Sequence, residues 1–578
     1  MSHVARLRAF RHRFRTLLPV AVLVAVVSLI VGCATSEPAP TSAFSLPGVS
    51  ATESTTELHT FGLAATSATP EHGGTLTVGW EEEPPCLVND WVQVGYLSRQ
   101  YLDNLVGASS NGGVVPWLAT SWKVTNDRTT YTFALKPHVE FTDGTPLTAQ
   151  SIADNFDNWF GNPSSPNYNG YLALMFASDL RSWKATGPLT FQVNLKAPDQ
   201  YFLSALSTYP GGIQSPQAVA RGPAENCQDP IGTGPFEVVK WNRGVDVILK
   251  RNPDYDSAPA NAANQGPAYL SEVVWKFISD DETRWASLQT DESQVIYDVP
   301  ATDWSEAEKE YQIEQYITAG TPNRLLLATQ WGPFKDVRVR KAFEYAFNGP
   351  SAVQAVYQGE LQFNGNGTES PSTPGYDDVL ANPFPYNPAE ASKLLDEVGW
   401  TGRNAAGYRT KDGKALVLRL VYSEDINATE EDVDLFQLMQ QEEKAVGIDL
   451  ELVPLSSDTY WQSGSNQPAG TWDLEQWYDV DRTSDTLVVD AAEGSAEGVI
   501  PSSSATIEAL AEELTLATAT AKTDAIAARI QTIIVKQDAA VLGEEPLPVT
   551  LAISPKVHGL WLEPDVGEPV LSDAYYAK

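Results

Sequence analysis

Aromatic and acidic side chains come together in one segment of the C-terminal third. Trp477 and Tyr478 are followed by the aspartates Asp479, Asp481 and Asp485. Aromatic faces beside carboxylates offer a small ligand stacking area and negative charge, including cation–π attraction to an amine. Two carboxylates about 5 to 10 Å apart can also hydrolyse a glycoside. The segment therefore indicates either a binding site or a glycoside-active enzyme, and the aspartates could equally cap a turn.

Other catalytic arrangements find little support. Only His138 and His558 of the six histidines lie beyond residue 73, and no His-Glu-x-x-His, Cys-x-x-Cys or Gly-x-Ser-x-Gly motif occurs. Zinc sites and serine hydrolases need such arrangements. We therefore expect no metal site, no cofactor and no catalytic nucleophile. The run Glu81, Glu82 and Glu83 is interpreted as a solvated edge.

The overall charge narrows the class of partner. The 578 residues carry 38 Lys and Arg against 74 Asp and Glu, so the net charge is 38 − 74 = −36. Proteins that bind nucleic acids hold phosphates with clustered Lys and Arg, so we expect no nucleic-acid partner. The length predicts two to four domains with ample buried core.

The N-terminus has the features of an export signal. Residues 1–32 contain five arginines and no acidic residue, and end in an apolar run over residues 17–31. This pattern is typical of a secretory signal rather than of a mature transmembrane helix. The sequence before Cys33 resembles a bacterial lipobox, which predicts a lipid attached to that cysteine and a location on the outer face of the cytoplasmic membrane.

A tether follows the predicted lipid anchor. Residues 33–73 are rich in Ser, Thr, Ala and Pro and show no sustained apolar period. Such segments bury too little surface to fold. Beyond them, Cys86 and Cys227 lie in Pro-rich, turn-like contexts. Because export permits disulfides, we expect a Cys86–Cys227 bridge, with two separate buried thiols as the alternative.

The body of the chain mixes strand and helix patterns. Residues 189–195 and 245–249 alternate apolar and polar side chains, as half-buried strands do. The apolar residues between 339 and 347 fall on one helical face, and so do the isoleucines between 526 and 534. The mixture predicts an α/β or α+β fold without internal repeats.

Several segments, read in order, resemble the family 5 extracellular solute-binding proteins of ABC importers, which include dipeptide-, oligopeptide- and nickel-binding proteins. The most specific is VVPWLATSW at residues 114–122, followed by FTDGTPLTA at residues 141–149. The other matching segments are residues 73–79, 131–135, 231–236, 251–255 and 334–342. The likeness extends from about residue 73 to residue 565.

This resemblance implies an α/β fold of two lobes with a hinge and an interlobe cleft, of the large class II type with three subdomains. By analogy, residues 74–322 and 545–578 form the first lobe, divided into two subdomains. Residues 323–544 form the second lobe. Closure of the lobes would exclude water from the ligand, and the ligand must stabilise the closed state by contacts with both lobes.

On the first lobe, the resemblance places Asp90, Trp91 and Val92 near the ligand backbone. It places Tyr168 or Tyr171 at the contact between subdomains.

On the second lobe, the resemblance implicates Trp477, Tyr478 and the aspartates that follow. In peptide-binding members an aspartate shortly after this aromatic holds the α-ammonium of the ligand. The expected position here is Val480, so Asp479 or Asp481 takes the role after a shift of one residue, or the ligand lacks an ammonium group. Trp331, near the start of this lobe, is predicted as a cleft wall or as core.

The function implied is that of a monomeric, non-enzymatic receptor. It binds a solute and delivers it to a membrane permease that works with an ATPase. Peptides are the first expected class of solute. Oligosaccharides and metal chelates are alternative ligands. The alternative functions are a lipid-anchored glycoside-active enzyme and a surface sensor with the same fold.

Overall fold

The computed structural model describes residues 69–88, 94–109, 113–165, 168, 172, 180–424, 428–460, 471–480, 483–484, 486–488, 504–517, 520–564 and 567–577. All of them fall within one of the two units into which the chain divides, Phe61–Lys578. The predicted signal peptide lies outside the described residues, and so does most of the predicted tether.

The larger of two mixed sheets has seven strands. In spatial order these are Gln312–Ile317, Pro548–Ile553, Val295–Tyr297, Thr75–Trp80, Glu272–Phe277, Asp246–Arg251 and Phe236–Asn242. The three central strands run parallel, with Val78 opposite both Trp275 and Val295. The other neighbours pair in the antiparallel sense. Leu76, Val78 and Trp275 are at most 1% exposed, because both faces of the central strands are covered.

The second mixed sheet has five strands. In spatial order these are Asp449–Pro454, Val417–Tyr422, Leu474–Trp477, Arg324–Leu327 and Val541–Gly543. The first three run parallel, and the last two pair in the antiparallel sense.

The chain passes between the two large sheets twice. Residues 318–323 connect Gln312–Ile317 to Arg324–Leu327, and residues 544–547 connect Val541–Gly543 to Pro548–Ile553. Each connection leaves a strand of one sheet and enters a strand of the other. This is the topology of two lobes joined by two crossing segments.

A third, four-stranded antiparallel sheet carries its own core. Its strands are Ala119–Val124, Thr130–Leu135, Thr190–Leu195 and Leu180–Gly187. The strand predicted at residues 189–195 is confirmed, because Phe191, Val193 and Leu195 are buried while their neighbours are half-buried. The helix Ala149–Phe160 packs on this sheet through Phe156, which contacts Phe191 edge-on at 4.8 Å.

Short strands complete the β structure. They are Pro70–Glu71, Val106–Ala108, Val114–Pro116, Gly402–Arg403, Arg409–Lys411, Lys414–Ala415, Val557–His558, Trp561–Leu562, Pro569–Val570 and Tyr575–Ala577.

The described α-helices are Gly95–Ser98, Ala149–Phe160, Phe202–Ala205, Pro216–Arg221, Pro223–Asn226, Asp281–Gln289, Trp304–Glu310, Val337–Ala346, Gly349–Val356, Pro388–Glu397, Glu430–Val446, Ser457–Tyr460, Ser504–Leu516 and Thr520–Gln531. The 3₁₀-helices are Tyr209–Gly211, Pro333–Lys335 and Asp378–Leu380, and Thr532–Gln537 is π-helical. Within the described part of the chain, no helix combines the length and the apolar character needed to span a membrane.

The predicted helical faces are largely confirmed. Val339, Ala342, Phe343 and Ala346 are buried along Val337–Ala346. The helix ends one residue before Phe347, which continues in an extended conformation. The predicted isoleucine face is divided between the α-helix Thr520–Gln531 and the π-helical residues that follow it.

Candidate functional site

The parallel strands of the seven-stranded sheet place two carboxylates at one edge. Glu81 directly follows Thr75–Trp80, and Asp298 directly follows Val295–Tyr297. Because parallel strands end at the same edge, residues more than 200 positions apart become neighbours there. The carboxyl ends of strands in α/β sheets form the crevice where ligands bind.

One arginine fixes the backbone at this edge. The Arg284 guanidinium donates hydrogen bonds to the carbonyl oxygens of Tyr297 at 2.6 Å and Ile278 at 2.8 Å, and to Asp281 Oδ1 at 2.6 Å. The side chain is 1% exposed. These hydrogen bonds therefore join the ends of two strands. Among the described contacts, Arg284 forms its ion pair with Asp281 and none with Glu81.

The two carboxylates hold their protons more tightly than usual. Burial, followed by repulsion from Asp298, raises the pKa of Glu81 to about 7. Burial raises the pKa of Asp298 to about 6, against the attraction of Arg284. Both side chains keep partial contact with solvent. A desolvated carboxylate without a cationic partner gains free energy when a positive group approaches it.

The interpretation of residues 81–83 as a solvated edge is wrong for two of the three glutamates. Glu83 accepts hydrogen bonds from Trp241 Nε1 at 2.7 Å and from the Gly244 N–H at 3.0 Å. Glu81 faces the desolvated edge described above. Only Glu82 is exposed. The three glutamates follow the end of the strand at Trp80, and they differ in exposure.

Aromatic rings line the same edge. Trp80 stacks on Tyr96, with centroids 4.2 Å apart, and on Tyr297, with centroids 4.4 Å apart. Burial raises the pKa of Tyr297 well above its usual range, and the negative charges of Glu81 and Asp298 add to the shift. The Tyr478 hydroxyl also contributes to it. Tyr478 of the second sheet therefore lies within electrostatic reach of Tyr297.

Tyr478 and Asp479 occupy the equivalent edge of the five-stranded sheet, directly after Leu474–Trp477. The Asp479 carboxylate accepts a hydrogen bond from Trp477 Nε1 at 3.0 Å and forms an ion pair with Arg324 at 3.1 Å. Its backbone exchanges hydrogen bonds with Thr321, whose N–H donates to the Asp479 carbonyl at 2.8 Å. The Asp479 N–H donates in turn to Thr321 Oγ1 at 2.7 Å, so an indole, a guanidinium and a threonine hold Asp479 in place.

The pair with Arg324 changes what Asp479 can offer a ligand. Arg324 is 1% exposed and also donates to the Gly367 carbonyl at 3.1 Å, whereas the Asp479 side chain is 38% exposed. A ligand ammonium at Asp479 would share the carboxylate with this buried cation. The ligand ammonium and Arg324 could donate charge-assisted hydrogen bonds to Asp479 at the same time, because a carboxylate has about four acceptor positions.

The tryptophans predicted for the second lobe differ in their surroundings. Trp477 lies parallel to Tyr460, with an angle of 10° and 6.3 Å between centroids. Trp331 contacts Trp472 edge-on at 5.1 Å and donates to the Trp472 carbonyl at 2.8 Å. Trp331 is half-buried and packs on the hydrophobic cluster that contains Ala328 and Trp472. Its contacts are therefore those of a residue at the margin of the core.

A further carboxylate, Glu360, lies beside the seven-stranded sheet. Gln315 Nε2, from the strand Gln312–Ile317, donates to Glu360 Oε1 at 3.2 Å. Burial, followed by repulsion from Asp298 and Glu431, raises the pKa of Glu360 to about 8. Burial alone raises the pKa of Glu314 to about 7. No motif marked these positions in the sequence, because their burial is set by segments that are far apart along the chain.

Several predicted site residues lie outside the described residues: Asp90, Trp91, Val92, Tyr171, Asp481 and the lipidation site Cys33. Tyr168 is described and half-buried, and its N–H donates to the Ser165 carbonyl at 3.2 Å. The roles of all these residues stay predictions.

The two predicted disulfide cysteines lie on adjacent segments. The Leu87 N–H donates to the Cys227 carbonyl at 3.1 Å, so the backbone next to Cys86 pairs with that of Cys227. The Cys227 thiol contacts the Pro85 carbonyl at 3.6 Å, and the Cys86 thiol contacts the Val88 carbonyl at 3.2 Å. The covalent bridge itself stays a prediction.

Comparisons with known proteins agree on one family. The family described as bacterial extracellular solute-binding proteins, family 5 middle, matches residues 113–489. The glutathione-binding protein GsiB of Escherichia coli O157:H7 is 28% identical over 307 residues, or 53% of this chain and 57% of that protein. The match thus spans little more than half the length of this curated relative.

Solved structures extend the likeness to most of the chain. NikA from Brucella suis in complex with Fe(III)-EDTA has a TM-score of 0.76 and 23% identity, and covers 87% of this chain and 100% of that one. The oligopeptide-binding protein AppA from Bacillus subtilis in complex with a nonapeptide has a TM-score of 0.69 and 22% identity, and covers 88% and 100%. The predicted two-lobed α/β fold is confirmed.

Proposed function

The chain belongs to the family 5 bacterial extracellular solute-binding proteins, and from this premise we propose that it is the solute receptor of an ABC importer. One observation carries the proposal beyond family membership. The carboxyl edges of the two large sheets place Tyr297 of one lobe within electrostatic reach of Glu81 of the same lobe and of Tyr478 of the other lobe. A site shared by two lobes suits a receptor that closes on its ligand.

The lobes rotate about the two crossing connections. In this proposal residues 74–322 and 545–578 form the first lobe and residues 323–544 the second, so the hinge lies within residues 318–323 and 544–547. Residues 1–32 are the export signal and residues 33–73 the tether. Proteins of this family work outside the cytoplasm, and a lipid on Cys33 would keep this one at the outer face of the membrane beside its permease and ATPase.

The ligand is a peptide whose positive group faces the carboxylates. Glu81 and Asp298 from the first lobe and Glu360 from the second have raised pKa values because burial and mutual repulsion disfavour their charged forms. A cationic group relieves both effects, since opposite charge favours the ionised carboxylate. Trp477 and Tyr478 supply the flat surface for the rest of the ligand. Asp479, or Asp481 beyond the described residues, holds the ammonium group.

The arrangement of Glu81 and Asp298 supports ligand binding rather than catalysis. Glycoside hydrolysis would require one protonated and one ionised carboxyl on opposite sides of the bond. Glu81 and Asp298 instead belong to one edge of one sheet and share the influence of Arg284. Incubation with oligosaccharides separates the two functions, because turnover supports an enzyme and saturable binding without products supports a receptor. Neighbouring permease and ATPase genes would favour transport over a sensor.

Calorimetric titration with three tripeptides tests the proposed ligand class. We expect Lys-Ala-Lys to bind more tightly than Ala-Ala-Ala, and Glu-Ala-Glu to bind least. The Glu81→Gln variant should lose part of the preference for Lys-Ala-Lys, whereas Glu140→Gln, at an exposed position, should keep it. Equal affinity for all three peptides would contradict the electrostatic argument. Native mass spectrometry of freshly purified protein should show a bound solute of unchanged mass, and a chemically altered product would contradict the receptor.

A further inference from the structure

The two connections between the lobes are bonded to each other. The Thr318 N–H donates to the Leu547 carbonyl at 2.8 Å, and the Asn323 N–H donates to the Glu545 carbonyl at 3.0 Å. In return, the Glu544 N–H donates to the Asn323 carbonyl at 2.8 Å. The hinge therefore behaves as a short antiparallel pair, and Asn323, Glu544 and Glu545 lie at its second-lobe end.

A carboxylate of the second lobe is attached to this hinge pair. Asp432 lies in the first turn of the helix Glu430–Val446, where Oδ2 accepts from the Thr429 N–H at 2.8 Å. Asp432 Oδ1 accepts from Tyr357 OH at 2.8 Å and from Asn323 Nδ2 at 3.2 Å. The same Asn323 amide donates to Glu545 Oε1 at 2.6 Å. One asparagine thus bridges the helix and the hinge.

The bridge requires a bound proton. Asn323 Nδ2 donates to both carboxyl groups, so Asp432 and Glu545 are adjacent buried acids, and two ionised carboxylates this close repel each other unless one of them carries a proton. Asp432 accepts hydrogen bonds from three donors, whereas Glu545 accepts one, so the proton belongs on Glu545. Among the described residues, none donates to Glu545 Oε2 or to Glu544 Oε1, and both glutamates are 1% exposed.

We propose that Asp432, Glu544 and Glu545 form a proton-dependent lock on the interlobe hinge, in which the proton between Asp432 and Glu545 holds the second-lobe helix against the crossing connections. Loss of the proton leaves adjacent buried carboxylates that repel each other, so the helix separates from the hinge and the lobes adopt a more open arrangement. This inference rests on the proposed function only for the assignment of the hinge.

The groups around the lock determine the direction of the pH effect. The titratable groups facing it are Tyr357 at the end of Gly349–Val356 and Glu431 on the helix, next to Asp432. Within the described residues no lysine or arginine pairs with any of the three carboxylates. Burial is the largest cause of the raised pKa of each, and mutual repulsion adds to it for Glu544 and Glu545. The locked conformation therefore binds protons more tightly than an open one and is favoured at lower pH.

Small-angle X-ray scattering of the ligand-free protein between pH 5.5 and 9.5 tests the lock. The radius of gyration of the wild type should rise with pH, and the opening equilibrium should change by about tenfold per pH unit for each proton released. Glu545→Gln keeps a donor toward Asp432 that cannot titrate, so its radius should stay small across the range. Glu451→Gln, at an exposed position of the second lobe, should behave as the wild type does.

A wild-type radius independent of pH overturns the proposal, and so does an unchanged pH response in Glu545→Gln. If Glu545→Gln does not fold, Asp432→Asn serves instead, because its amide can donate to Glu545 and should likewise abolish the response. Titration of Lys-Ala-Lys at pH 6 is a separate measurement. Failure of that binding with an intact pH response contradicts the proposed ligand, whereas normal binding with no pH response contradicts the lock alone.

Discussion

Replacing Glu81 by glutamine should stabilise the ligand-free protein at alkaline pH. Glu81 lies in a desolvated edge beside Asp298, and its pKa rises from 4.5 to about 7. A glutamate whose pKa is raised in the folded state binds its proton more tightly there than in the unfolded chain. Its contribution to stability is therefore favourable at low pH and is lost as the pH rises from 4.5 to 7.

The magnitude follows from the shift. A difference of about 2.5 pKa units, at about 1.36 kcal/mol per unit, means that ionised Glu81 destabilises the fold by roughly 3 kcal/mol above pH 7. With an unfolding entropy of about 2.1 cal/mol/K per residue and about 450 described residues, the corresponding gain in Tm is about 3 °C. Glu81→Gln should show this gain at pH 8 and almost none at pH 4, where the glutamate is protonated in both states.

Differential scanning calorimetry at the two pH values measures the effect. Glu140→Gln, at an exposed position, provides the control and should change Tm little at either pH. Equal Tm values for wild type and Glu81→Gln at pH 8, or a difference that grows toward pH 4, would refute the reasoning. The same variant should bind Lys-Ala-Lys less tightly, which is measured separately by calorimetric titration.

Three further outcomes are expected. Asp479→Ala and Asp481→Ala should each weaken Lys-Ala-Lys binding in calorimetry by about 1.5–3 kcal/mol if that residue holds the ammonium group; unchanged affinity in both would move that site elsewhere. Glu443→Met should raise Tm at pH 8, since Glu443 is fully buried and neither carboxyl oxygen has a hydrogen-bond partner within the described part of the chain; an unchanged or lower Tm would contradict this prediction. Mass spectrometry without reductant should find Cys86 bridged to Cys227, and alkylation of both thiols in the untreated protein would contradict the bridge.

Local patterns predicted much of the fold. The alternation at residues 189–195 and the apolar face of Val337–Ala346 reappear in the structure, because side-chain period follows directly from strand and helix geometry. The helix ends before Phe347, and a π-helical turn interrupts the isoleucine face. A local apolar pattern indicates neither where a helix ends nor which type of helix forms.

The site was less accessible to sequence reasoning. Trp477, Tyr478 and Asp479 could be identified because an aromatic pair precedes aspartates over a few residues. The ion pair of Asp479 with Arg324 could not, because the strand of Arg324 and the strand that ends just before Asp479 are antiparallel neighbours, and the two residues are 155 positions apart along the chain. The residues of the hinge lock were missed for the same reason.

The sequence by itself determined the properties that depend on composition and on short segments: the acidic charge, the strand and helix periods, and the ordered segments that identify the family. Tertiary structure alone decided which charges meet. Glu81 and Asp298 become neighbours through parallel pairing, and Asp432 reaches Glu545 through the crossing of the chain between two sheets. Burial and proximity set the proton affinity of a carboxylate, and both are properties of the folded chain rather than of any segment within it.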